Sequence, residues 1–500
     1  MAVSLVPQTC DLPAYGNWNN GMRPNGYGVD LQLDWVKQGH RISPWLPLPL
    51  PHQTLQVSRY ESALREYRAR RLPITFTGTQ WEYLLSEQPY LRIKDDTNPN
   101  VLGHNGLNER RLSPFGSEKY WYEVGKSWTD REMFRQLANI YPDPPQVVLL
   151  SNNEHPLLGW RELERDRRFV SRYGSKLTDE QKRELAASLW EKLYQALHQG
   201  MRDGLAATPW KDRVRLVGFL ANGSMNMGRD SGWMFERLHT RDRIDPYSRF
   251  WDGSSYDIYY NSEETLLRSA PYRAMNSVFM VEENRRTKRD YYAELSIWDG
   301  HTYDRQDWRR HQENKQPGSS LSAFVALGTL GMWLLKPEVV REFRFYDESY
   351  HNNREYTQGI MARIDAVSSD PVLKSFWCNG ELVKNVRVVH PYQHSVPAKY
   401  QAESRWYFLD VEPASASPAR ANPDRYAAAI ALRKGRVPDR SWLVYGYSYG
   451  AVSGGTAARL MLPDFGMIDV TLPTAGGYFL VSEKTRSVKP LHVGGNAGMQ

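Results

Sequence analysis

Through the first 340 residues, short apolar runs rich in Val, Leu and Ile alternate with segments whose apolar residues recur at helical spacing. Such alternation predicts parallel strands covered by helices. Strand signals fall at 27–35, 41–48, 74–77, 146–150, 214–220, 256–260, 291–297 and 328–335. Helical signals fall at 57–69, 133–140, 178–203 and about 272–287. In the third of these, Leu185, Leu189, Leu193 and Leu197 mark a packing face. Residues 83–128 form a long aromatic-rich insertion, expected to wall the mouth of the sheet. Eight strands is the number that closes a (β/α)8 barrel, the TIM-barrel form of the α/β class.

After a helical phase ending near residue 375 the texture changes. Turn-rich chain over 382–400 leads to short alternating runs at 406–411, 442–449, 457–462, 467–472 and 478–481. These predict a smaller C-terminal β-sandwich. The expected division is 1–385 for the barrel and 386–500 for the sandwich. Trp442, Tyr445, Tyr447 and Tyr449 offer the sandwich rings for sugar or, more simply, for packing against the barrel.

Two strand signals carry candidate chemistry. The run Gln146 to Leu150 is followed by Ser151, Asn152, Asn153 and Glu154, and Tyr291 to Ile297 contains Glu294. Two carboxylates on parallel strands of one closed barrel can face one cavity, the arrangement that glycoside hydrolysis requires. A separation of about 5–5.5 Å gives retention, and about 6.5–9.5 Å admits a water and gives inversion. An amide beside the acid, Asn153, suits the ring hydroxyl next to the reacting carbon.

The pattern resembles the superfamily of (β/α)8 retaining glycoside hydrolases, which carry acid/base and nucleophile on strands four and seven. By that resemblance Glu154 is acid/base and Glu294 nucleophile. Tyr259 or Tyr260 on strand six takes the place of the tyrosine that bonds the nucleophile, and Trp333 on strand eight that of the sugar platform. Trp81, His104, Asn222 and Trp298 are further expected contacts with substrate, and Asp257 lies in a strand-like run that can face the mouth. The implied activity is hydrolysis of O-glycosyl bonds in a poly- or oligosaccharide. The alternative is a barrel that binds glycan without cleaving it.

Composition narrows the remainder. The chain has 17 Trp, 30 Tyr and 15 Phe in 500 residues, and aromatics near strand ends suit a hydroxyl-rich ring. A formal charge of +7, from 64 Lys and Arg against 57 Asp and Glu, is too dilute for a phosphate-backbone track, so no nucleic-acid partner is expected. The 12 His form no ligand cluster and no glycine-rich phosphate loop is present, so neither metal nor cofactor is expected. Cys10 and Cys378 cannot make a disulfide framework. The longest apolar stretch, 321–335, is shorter than the roughly 20 residues that cross a bilayer, so no membrane partner is expected. The first twenty residues do not read as a signal peptide. Location stays open between secreted or periplasmic and cytoplasmic, as does homo-oligomerisation.

Overall fold

The computed structural model describes residues 10–18, 29–49, 54–79, 115, 117–152, 167–220, 251–259, 290–298, 332–343, 354–383, 409–413, 426–449, 455–473 and 476–493. Eight parallel strands form one sheet in the order β1-β8-β7-β6-β5-β4-β3-β2. They are β1 Ala14–Trp18, β2 Trp45–Pro47, β3 Ile74–Thr79, β4 Val147–Asn152, β5 Val214–Leu220, β6 Gly253–Tyr259, β7 Tyr292–Trp298 and β8 Val339–Phe343. The sheet closes where Tyr15 bridges Ile42 and backbone hydrogen bonds join Tyr15 to Arg41 and Ser43.

The strand count agrees with expectation, but two members differ. Residues 29–35 of the first expected strand are helical: Val29–Lys37 is a helix (α1), burying Val29, Gln32, Leu33, Trp35 and Val36. That spacing of three and four outweighs the local alternation. The Gln32 amide then bonds both the N–H and the carbonyl of Trp45, docking α1 on β2. Likewise, strand eight is Val339–Phe343, beyond the expected 328–335. Within the earlier stretch, Met332–Leu335 is a 3-10 turn. The true first strand, Ala14–Trp18, is too short and polar to stand out.

Helices α2 Glu61–Ala69, α3 Glu118–Thr129, α4 Glu132–Ile140, α5 Arg167–Tyr173, α6 Asp179–Gly204, α7 Arg354–Ser369 and α8 Pro371–Asn379 complete the described barrel unit. α6 begins in a capping box, Thr178 with Gln181, which satisfies two otherwise orphaned amides. It crosses α3 so closely that an added Cβ on Gly200 would meet the Tyr122 carbonyl oxygen, and one on Gly125 the Leu197 carbonyl oxygen.

The C-terminal unit is two antiparallel sheets. One runs β10-β13-β14 (Asp410–Pro413, Thr456–Leu462, Gly466–Leu472). The other runs β16-β15-β12-β11-β9 (Ser487–Leu491, Gly477–Ser482, Ser441–Tyr449, Tyr426–Lys434, Glu381–Leu382). The chain therefore enters these sheets at Glu381. Period-two alternation gives the five-stranded sheet two apolar faces. Trp442 and Val444 join the core between the sheets, whereas Leu443, Tyr445 and Tyr478 join the core of the barrel. Trp442 and Tyr445 are packing residues, each almost wholly buried.

Cys10 and Cys378 form a disulfide across 368 residues, linking the approach to β1 with α8. Among the described residues no helix is long and apolar enough to cross a membrane.

Candidate functional site inside the barrel

Alternation along each strand sorts side chains into two sets. On β7, Ala293, Leu295 and Ile297 join the core beneath the helices, and Tyr292 packs with Ala14, Val148, Leu150, Val217 and Val339 inside the barrel. Glu294 and Ser296 share the parity of Tyr292, so they too point inward.

Register then sets the height of each residue. Hydrogen-bonded neighbours run from Ala14 through Val339, Glu294, Ser255 and Phe219 to Asn152. Strands in such barrels tilt by roughly 36° with a shear of about 8, so that row climbs towards the mouth by about one residue per strand. Residues at equal height come from alternate strands, and Glu294 shares its layer with Gly16, Thr75 and Val217. Side-chain contacts agree. Arg341, one layer higher on β8, bonds Glu294 through Nε to Oε2 and Nη2 to Oε1, each at 2.7 Å. Its Nη1 donates to the Asn17 carbonyl at 3.1 Å, and Nη2 also lies 3.4 Å from the Thr75 hydroxyl. A Cβ on Gly16 would stand 2.8 Å from Arg341 Nη1 and from Val339 Cγ1, so the guanidinium needs glycine there.

Glu294 is thus a residue of the packed stem, which corrects its expected position at the mouth. It has no exposed surface, and Trp298, the end of β7, lies four residues further on, about 13 Å at 3.3 Å per residue. Both carboxylate oxygens are occupied, since Tyr292 also donates its hydroxyl to Oε1 at 2.7 Å. Burial and the Glu294 charge push the Tyr292 phenol well above its ordinary pKa. Burial works against the Arg341 cation, but the Glu294 charge and hydrogen bonds outweigh it and raise its pKa. The result is a phenol held as a neutral donor to a carboxylate that the Arg341 fork also binds.

Sequence reasoning missed Arg341 and Tyr292. The signal was available in Val339, Val340, Arg341, Glu342 and Phe343, where two charges interrupt an apolar strand-like run. Arg341 serves the interior, while Glu342 on the opposite face accepts from the Tyr15 and Thr357 hydroxyls at 2.9 and 2.7 Å.

Trp333 is also corrected. It is wholly buried on the 3-10 turn before β8, its indole N–H donates to the Tyr478 hydroxyl at 2.7 Å, and Trp377 packs 6.2 Å away. It joins the barrel to the C-terminal sheets and presents no sugar platform. Tyr259 and Trp298 are the last residues of β6 and β7. Trp81, His104, Asn153, Glu154, Asn222 and Tyr260 lie outside the described residues.

Above the stem the interior becomes polar. Thr77, Ser255 and Ser296 are buried, and the hydroxyls of Ser255 and Ser296 have no hydrogen-bond partner among the described residues. Asp257 occupies the β6 position in register with Ser296, and Asn152 ends β4. Among the described residues no three His, Cys, Asp or Glu side chains gather as a metal site.

No family model matches the chain, and no curated protein matches it. Among solved structures it is similar to the Ignisphaera aggregans GH53 catalytic domain, with 12% identity, 70% of this chain and 90% of that one covered, and a TM-score of 0.34. It is similar also to GH26A from Muricauda sp., with 10% identity, 72% and 91% covered, and a TM-score of 0.31. Likenesses at this level carry no argument about the reaction.

Proposed function

We propose that this chain is a glycoside hydrolase that cleaves a poly- or oligosaccharide at the C-terminal mouth of its barrel. The observation that carries the reading is the eight-stranded barrel in which β4 ends at Asn152, immediately before Asn153 and Glu154. In such barrels the ends of the strands supply the reacting groups. Glu154 is the proton donor in this reading, with Asn153 beside it for a ring hydroxyl.

The retaining double displacement needs a second carboxylate about 5–5.5 Å from the first. Glu294, the expected nucleophile, is enclosed and fully bonded, and its geometry favours holding the stem together over attack on a sugar. In our reading the second carboxylate is Asp257. It lies two residues nearer the mouth than Ser255, the register partner of Glu294.

The test is a screen of the purified protein against poly- and oligosaccharides, with products followed by anomer-resolved NMR. Glu154→Gln and Asp257→Asn should each lower kcat by at least about 100-fold, the scale of general acid–base catalysis. Glycan binding without turnover would instead establish the non-catalytic reading. If no saccharide is bound or cleaved, both readings fail.

A further inference from the structure

The opposite end of the barrel holds a cavity of about 1030 Å³. Its wall includes Ala14, Val214, Tyr292 and Val339 at or near the starts of their strands, so it opens on the N-terminal face, away from the proposed hydrolytic mouth. Among the described residues that line it, six are arginines and none is a lysine.

Three of the six have structural employment. Arg202 pairs with Asp252, Arg70 with Glu66 and Arg215 with Asp290. The other three have no salt bridge to a carboxylate among the described residues. Arg41 donates to the Leu12 and Pro13 carbonyls, Arg213 donates to the Pro144 carbonyl at 3.0 Å, and Arg71 makes no side-chain hydrogen bond to the described residues. Asp11, Asp212 and Glu338 also line the space, Glu338 accepting from the Ala293 N–H. They leave arginine in excess, six against four carboxylates with Asp252 counted.

Helix C-termini favour cations, and Arg70 and Arg71 stand just beyond the end of α2. That effect accounts for basic residues there but is indifferent between lysine and arginine. A set made only of arginine points to planar forks, which bind oxyanions bidentately where an ammonium supplies a point charge.

We propose that the N-terminal cavity binds a small molecule bearing a phosphate or sulfate group, held by Arg71 and Arg213 with Arg41 at the inner wall. The site is independent of the hydrolytic reading and stands if that reading fails.

Isothermal titration of the full chain with inorganic phosphate, glucose 6-phosphate and glucose 6-sulfate tests it, at low and at physiological ionic strength. Saturable binding of at least one probe is expected, weakening with salt. The double variant Arg71→Gln/Arg213→Gln should weaken it at least about tenfold, the scale of one lost charge-assisted bidentate contact. Its unfolding midpoint should stay close to the parent's, because neither side chain is ion-paired among the described residues and the variant gives up only the Arg213 bond to the Pro144 carbonyl there. Should that variant unfold, Arg71→Lys/Arg213→Lys keeps the charge and removes the forks, and a loss of affinity is again expected. Preference between the two sugar esters identifies the source of the oxyanion. The proposal is overturned if no probe binds saturably, or if binding survives both double variants unchanged.

Discussion

Arg341 holds both carboxylate oxygens of Glu294 at 2.7 Å, and neither side chain has exposed surface. Each charge alone would face a desolvation cost of several kcal/mol, which the fork geometry and the bonds to Tyr292, Asn17 and Thr75 offset.

Removing one partner should therefore expose the full penalty. Glu294→Gln leaves the Arg341 cation buried and is expected to lose about 3–5 kcal/mol in urea unfolding. The double variant Glu294→Gln/Arg341→Met, without the stranded charge, should be less destabilised than Glu294→Gln alone. A Glu294→Gln protein of parental stability that has lost all turnover would return the nucleophile role to Glu294.

Much of the scaffold was legible from pattern. Runs such as 147–150 and 216–220 are apolar on both faces because a barrel strand packs against helices outside and side chains inside. Ala14–Trp18 escaped because its burial comes from neighbours distant in sequence, and 27–35 misled because alternation and helical spacing coincide over so few residues. Height inside the barrel was illegible: whether Glu294 sits at the stem or the mouth depends on strand tilt and register, which one strand's residues do not encode.

The crossing of α3 and α6 depends on two glycines. Gly200→Ala drives a methyl into the Tyr122 carbonyl, and Gly125→Ala drives one into the Leu197 carbonyl. Either should destabilise by about 1–3 kcal/mol or more through overpacking, against the small gain a helix ordinarily draws from alanine. Thermal unfolding of the two single variants checks this.

Alkaline pH should loosen the join between barrel and C-terminal sheets. Burial pushes the Tyr478 phenol up to about 12, although its bond from Trp333 works the other way. The unfolded chain releases this proton near pH 10, so the contribution is complete below that pH and is lost as pH rises through about 12. Unfolding free energies measured across this window should fall, and Tyr478→Phe should flatten the fall. The same variant removes the partner of the Trp333 indole and should cost about 1–3 kcal/mol at neutral pH.

Cys10→Ser, or reduction of the native protein, is expected to lose about 2–4 kcal/mol, because the bridge restricts the unfolded chain over a very long loop. The comparison of unfolding midpoints with and without reductant measures it. Such a bond persists in oxidising compartments.

The same bridge has a consequence for a chain cut by a protease. Because it joins residue 10 to residue 378, a single nick anywhere between them leaves both fragments covalently tethered. The first strand then stays beside β8, its hydrogen-bonded neighbour, and a gel run without reductant should show one intact mass where a reduced gel shows two.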